Sequence, residues 1–392
     1  MFVYFVLTLL LALFAGNLDA KFNVEDSVSL GGGVDTNPLF LDGSSSMDYL
    51  MRVDPQVDLI YDASTFYTKI GGGLDYNKYF KNTNQSFFKW KFDSLISVRP
   101  EESAAIDLVN NYDNNSDPIM MTTDDRAKWS LYTMKASMHY LTKSKLWRID
   151  GDFEAYTKRY DSDSFKNFNN NKRYLIVKTK FYFFPETAFI MGYKGGYSFY
   201  TAGHDVKPYG NTDSVHVEPF LGLEGQITTN YELFLKFGFL FLDYEYGSNF
   251  REPVLELKVT NLISKTSSIS GIYERMAYDS TYTNFYVDNK IALEFKNIWY
   301  DSLVNLSTVQ YIYRYYRLPP AKRIDNRLAF ISEIAFPVFT MSSIKENVCF
   351  FTRVLAEWVN SDAFNSFNLY NGPDPSASYK RLVLLVGFTT KY

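Results

Sequence analysis

Three histidines, one cysteine and a few runs of acids are the residues of this chain with chemistry within reach. His139, His204 and His216 are its imidazoles. A metal centre or a hydrolytic site needs several such groups brought together in a fixed geometry. His139 and His216 fall on the polar parity of two separate strand-like segments, where an imidazole reads as a wall residue. His204 and Asp205 lie together in a loop; a general-base pair there would need a second acidic pair across a cleft, and the sequence places none. Asp150, Asp152 and Glu154 have the density of an acid/base site, but Arg148 and Lys158 flank them, and spacing of two is what one charged face of a strand produces. The acidic loops Asp113-Asn114-Asn115-Ser116-Asp117 and Asp161-Ser162-Asp163 lack the twelve-residue calcium-loop spacing. Cys349, alone, excludes an internal disulfide and any multi-cysteine metal site. The expectation is a non-enzyme with no catalytic residue, no resident metal and no cofactor.

Composition narrows the class further. The chain has 392 residues and a net charge of -4, from 40 basic and 44 acidic side chains, so it lacks the basic excess of a nucleic-acid binder. Hydrophobic residues make up 46%, too many for a disordered chain. Aromatic residues reach 18%, with 32 Tyr, 34 Phe and 5 Trp. Phe2 to Phe14 form an apolar run, followed by small and polar residues up to Ala20. That order reads as a secretory signal peptide over 1–20, cleaved after Ala20, although no Lys or Arg precedes the run. Residues 21–392 then form a single domain outside the cytoplasm.

The elements that position these side chains repeat with period two. Trp147, Ile149, Gly151, Phe153 and Ala155 alternate with Arg148, Asp150, Asp152, Glu154, Tyr156 and Lys158. Phe285, Val287, Ile291, Leu293 and Phe295 oppose Asp288, Lys290, Glu294 and Lys296. Val348, Phe350, Val354, Ala356 and Trp358 oppose Arg353 and Glu357. A strand separates such sets onto two faces, whereas a helix mixes them. The strands run to about 14 residues, against five or six in most soluble sheets. Short links near 62–64, 143–144, 185–187, 228–230 and 264–266 alternate with long polar ones at 37–46, 113–126, 161–171, 201–212 and 359–378. Hairpin by hairpin the count is about eighteen strands, with 16–18 plausible, and the weakest at 103–112. The triple glycines at 31–33 and 71–73 fall inside strands, where they permit curvature or close backbone approach.

A soluble sandwich also alternates, so the question is what the apolar face meets. Strand length, the short/long rhythm, aromatic residues near strand ends (Trp129, Trp147, Trp299, Trp358) and a polar face dense in both signs of charge all favour lipid outside and water inside. In lipid the sheet must close on itself. The fold expected is all-β, a transmembrane antiparallel up-and-down β-barrel.

Two motifs add resemblances. Leu382, Leu384, Val386, Phe388, Thr390 and Tyr392 share one parity and end on an aromatic. This is similar to the C-terminal strand of bacterial outer-membrane β-barrel proteins, except that Thr390 departs from the pattern. Gly31-Gly33-Val34-Asp35-Thr36-Asn37-Pro38 resembles the first strand of the β-barrel porins encoded with exopolysaccharide genes. The resemblance implies the bacterial outer membrane, and as partners its lipid and the barrel assembly machinery, which would read Leu382, Leu384, Val386, Phe388 and Tyr392.

The function expected is a porin-like channel for passive passage of small polar solutes. Its pore would be lined by Arg148, Asp150, Asp152, Glu154, Lys158, Asp288, Lys290, Glu294, Lys296, Arg353, Glu357 and Arg381, with opposed charges making a transverse field and the acidic segment 113–126 as the candidate constriction. The alternative is a non-conducting structural or surface barrel, associated with polysaccharide export or adhesion, its lumen occluded by the inward Phe220, Leu240, Ile331 and Leu355. A secreted soluble β protein that binds carbohydrate is the third reading.

Overall fold

The computed structural model describes residues 21–38, 47–101, 103–118, 126–161, 169–200, 212–279, 285–299, 303–317, 322–341, 346–361 and 378–391; the expected leader 1–20 and Tyr392 lie outside them. Eighteen strands follow one another: β1 (Lys21–Asp35), β2 (Asp48–Asp62), β3 (Phe66–Tyr79), β4 (Phe87–Glu101), β5 (Ala104–Pro118), β6 (Arg126–Leu141), β7 (Trp147–Tyr160), β8 (Asn170–Phe184), β9 (Thr187–Tyr200), β10 (Ser214–Thr228), β11 (Tyr231–Tyr244), β12 (Phe250–Leu262), β13 (Ser267–Asp279), β14 (Phe285–Trp299), β15 (Leu303–Arg317), β16 (Lys322–Met341), β17 (Glu346–Ser361) and β18 (Tyr379–Lys391). Among the described residues one 3-10 turn, Thr83–Gln85, sits between β3 and β4. Each strand pairs with its chain neighbours, and β1 pairs antiparallel with β18 from Ser27↔Lys391 to Asp35↔Val383, which closes the sheet. The chain is thus an 18-stranded antiparallel up-and-down barrel. The weakest of the expected strands is real, as β5.

Period-two patterning decides which side chain goes where. On β8, Leu175 and Val177 are exposed on one parity while Tyr174, Ile176 and Lys178 on the other are half-buried. On β18, Leu382, Leu384, Val386 and Phe388 are all exposed. In a closed sheet the exposed apolar parity is the outer surface, where it meets hydrocarbon, and the charged parity faces inward. A strand of 15 residues spans roughly 50 Å at about 3.3 Å per residue, enough to cross the apolar layer at a tilt with both ends in water. Both chain ends of the sheet and the strand ends that short connections join lie at one rim; the strand ends that long connections join lie at the other.

At the long-connection rim the wall doubles. The β12–β13 ladder runs from Leu262↔Ser268 to Leu255↔Arg275 and stops. Beyond that point β12 stays paired with β11 as far as Leu242↔Phe250, and β13 with β14 as far as Asp279↔Phe285. Pro253 lies two residues past the last pair and brings no N–H to a ladder. The two hairpin tips then overlap. Leu240, Leu242, Tyr244, Phe250 and Val254, on the inward parity of β11 and β12, form one buried cluster with Ala277, Phe285 and Val287, on the outward parity of β13 and β14. An inward face packed against an outward face sets the β13–β14 tip inside the β11–β12 tip. The Phe285 ring lies 5.3 Å from Phe250 and 6.0 Å from Tyr244, centroid to centroid.

Three expectations are corrected, the first of them by this layering. Phe285 and Val287 belong to the outward parity, but they are 1% and 0% exposed because the neighbouring hairpin covers them. Trp129 is on the inward parity of β6, opposite Asn115 and Tyr160, with the Lys158 ammonium 4.4 Å from its ring. Residues 113–118 are part of β5 and so are not an inward loop; residues 119–125 lie outside the described residues.

Candidate lumen site

Every residue expected to line a pore lies on the inward parity, and ladder register decides its partners. Arg148 Nε donates to Asp150 at 2.6 Å, and Lys178 approaches the same carboxylate at 3.6 Å from β8. Lys135 on β6 lies 3.6 Å from Asp152 and 3.5 Å from Glu154. Tyr156 donates its hydroxyl to Glu154 at 3.0 Å. Lys158 is held over the rings of Trp129 and Tyr160 at 4.4 and 4.9 Å. On the opposite arc, Arg314 grips Asp288 through two hydrogen bonds of 2.8 and 2.9 Å. Lys290 faces Glu274 at 3.6 Å, and Glu294 accepts from Lys258 at 2.9 Å. Arg353 Nε donates to Glu333 at 2.7 Å, and Arg327 pairs with Glu357. Lys296 is exposed near the short-connection rim.

These pairs join residues of the same strand or of neighbouring ones, except Lys258 on β12 and Glu294 on β14, which meet across β13. Opposite charges within 4 Å largely cancel at a distance, so the expected transverse field between opposed walls is replaced by a lattice of local dipoles. Sequence parity finds the face but not the partner, because the partner depends on register.

Two knots in this lattice are buried. The first joins the ends of the chain. Asp35, fully buried at the rim end of β1, accepts three hydrogen bonds of 3.1, 3.2 and 2.7 Å from the Arg381 guanidinium on β18 and one of 2.9 Å from the Tyr79 hydroxyl on β3. The second centres on Glu218 of β10, 1% exposed. Lys236 Nζ lies 2.7 Å from Glu218 and 2.8 Å from Glu256, and His216 Nε2 lies 3.4 Å from Glu218. Lys194, opposite Glu218 in the β9–β10 ladder, sits 4.5 Å above the Tyr174 ring, whose edge meets His216 at 5.3 Å. His216 therefore supports an ion pair, as a polar wall residue does. Lys194, Lys236 and Glu256 were not singled out by the sequence, since nothing local marks them as neighbours.

Glycines make room where side chains cross. A Cβ on Gly71 would meet Asp58 at 2.3 Å and Asp93 at 2.7 Å, so both carboxylates lean over that bare stretch of β3. A groove of about 140 Å³ beside it is lined by Arg52, Asp54, Asp75, Lys89, Lys91 and Asp113, among others. Near the short-connection rim, a shallower depression of about 450 Å³ is bordered by Glu186, Glu224, Glu232 and Lys258. Among the described residues no three His, Cys, Asp or Glu side chains gather as metal ligands would.

No family model matches this sequence, and no curated protein matches it. Solved structures do. OccK2 (OpdF) of Pseudomonas aeruginosa superposes with a TM-score of 0.50 at 8% identity, covering 95% of this chain and 98% of that one. OccK9 (OpdG) of Pseudomonas aeruginosa gives 0.49 at 8%, covering 95% and 99%. The FrpB iron transporter from Neisseria meningitidis gives 0.48 at 9%, covering 95% and 82%. At these identities the likeness is one of fold: a barrel of the bacterial outer-membrane type.

Proposed function

We propose that the protein is a porin-like channel of the bacterial outer membrane, carrying small polar solutes passively. One observation supports this most: the inward parity of β2–β8 and β14–β18 is a lattice of ion pairs whose members are mostly only partly buried, as with Arg52–Asp75, Lys69–Asp58, Arg148–Asp150 and Arg353–Glu333. Charged pairs of this kind are costly in a dry core and natural in a wet lumen. Because the charges pair within the wall, selectivity between small anions and cations is weak. The test is stepwise conductance after the purified, folded protein is added to a planar bilayer. A folded barrel without steps at any voltage refutes the channel and leaves the fold intact.

A second reading, a non-conducting barrel for polysaccharide export or adhesion, draws on a different observation. The β9–β12 arc carries the buried inward Ile190, Phe220, Leu240 and Leu242, and the tucked β13–β14 tip narrows the same rim. Under that reading the bilayer trace is silent. On either reading, the outward apolar parity of β18 at Leu382, Leu384, Val386 and Phe388 fits recognition by the barrel assembly machinery.

A further inference from the structure

The outer surface of β6–β8 departs from the apolar pattern near the long-connection rim. Lys128, Arg159 and Arg173 share the outward parity with the exposed Phe153, Leu175 and Val177. Arg173 is exposed, stands between Ala155 and Tyr197 in the ladders, and makes no side-chain hydrogen bond or ion pair with any described residue. Arg159 is pinned. It donates to the carbonyls of Lys158 and Asn170 at 3.0 and 3.2 Å, and to Asn171 Oδ1 at 3.1 Å, an oxygen that also accepts from Thr157 at 3.0 Å. Two of its five N–H groups remain uncommitted among the described residues. Asp161, whose N–H donates to the Lys128 carbonyl at 3.0 Å, is the carboxylate that this face carries among the described residues. Around the cations stand Ser130, Tyr132, Thr157 and Asn171, all with polar tips on the same outward parity.

An arginine on the lipid-facing wall is expensive unless it reaches an anionic group at headgroup depth. The long-connection rim of such barrels faces the exterior, so these side chains lie against the outer leaflet. Arginine forks match phosphate in two-point geometry, and hydroxyls and amides beside them suit sugar. We propose that the outer wall of β6–β8 is a docking surface for a phosphorylated glycolipid of the outer leaflet, with its phosphate on Arg159 and Arg173 and its sugar against Thr157, Asn171 and Tyr132. The site is independent of whether the lumen conducts.

The experiment compares retention of bisphosphorylated lipid A with that of its dephosphorylated form on the folded, detergent-solubilised barrel, by native mass spectrometry. Wild type should prefer the phosphorylated form by on the order of tenfold, the effect of one charge-assisted contact. R159S/R173S should lose that preference, and R159K/R173K should keep part of it, with charge retained but the fork lost. R251S is the control, because Arg251 on β12 is outward yet paired with Asp243 at 2.8 Å; it should behave as wild type. Each variant is first checked for the folded band on an unheated detergent gel. If R159S/R173S fails to fold, the single R173Q, which disturbs no described contact, serves in its place and should lower the preference. Equal retention of both lipids by wild type overturns the proposal. So does an unchanged preference in the folded serine or glutamine variant, or release of the lipid by equimolar inorganic phosphate.

Discussion

Arg275, on the outward parity of β13, lies 2.5 Å from Glu252, on the inward parity of β12. In a single-layered wall these side chains would be on opposite sides of the sheet. They meet because the two hairpin tips overlap, and the same guanidinium also donates to the Pro253 carbonyl at 3.3 Å and to Asn289 at 3.1 Å. The carbonyl next to the broken ladder is thus satisfied by a side chain instead of a strand.

Burial along β14 turns this geometry into a stability contrast. Phe285 and Leu293 share a parity, but Phe285 is sealed between layers and Leu293 is exposed to the lipid side. Phe285→Ala should cost about 3–5 kcal/mol, as large-to-small changes in packed cores do. Leu293→Ala should cost much less. Denaturant unfolding of the lipid-reconstituted protein reads both. Equal costs would mean that the tips do not overlap.

The Asp35 knot should respond asymmetrically. Arg381→Leu leaves a fully buried carboxylate with Tyr79 as its remaining described side-chain donor, and should destabilise by about 3–5 kcal/mol. Asp35→Asn combined with Arg381→Leu should recover part of that loss. A double-mutant cycle by the same unfolding assay gives the coupling, and a coupling near zero would contradict the hydrogen-bond geometry.

Closure between the first and last strands rests on backbone contact. A Cβ on Gly33 would lie 1.9 Å from the Leu384 carbonyl oxygen, and one on Gly387 2.1 Å from that of Leu30. Gly33→Ala should therefore weaken or abolish the compact, heat-modifiable band on a detergent gel. Gly271→Ala, where nothing lies within 4 Å of the added carbon, should run as wild type.

If the lumen conducts, Lys158 is an informative position, since rings and not a carboxylate hold its charge. Lys158→Glu should move the reversal potential in a salt gradient toward cation preference. Lys158→Gln should move it less. No movement in either variant would place Lys158 outside the ion path.

The fold was largely legible because a membrane barrel writes itself in one dimension. Period-two alternation in Trp147–Lys158 or Leu382–Phe388 states both the element and its faces, and the link lengths state the order. The doubled rim was not legible. Phe285 and Val287 look like lipid-facing residues until the ladder between β12 and β13 is known to stop at Leu255↔Arg275. Pro253 was the local sign, but a proline in an outer strand end is common enough to pass unremarked. Charge partners were hidden for a related reason: Asp35 and Arg381 are 346 positions apart and meet only when the cylinder closes.

Two joints in the circumference are thinner than the rest. β12 and β13 share the eight paired positions from Leu255↔Arg275 to Leu262↔Ser268, and β1 and β18 share the nine from Ser27↔Lys391 to Asp35↔Val383. They divide the cylinder into an arc of twelve strands and an arc of six. A bilayer that squeezes the molecule sideways would flex it first along these two lines, like a shell with a pair of hinges, and the apolar overlap at one and the Asp35–Arg381 clasp at the other are where the molecule resists being pried open.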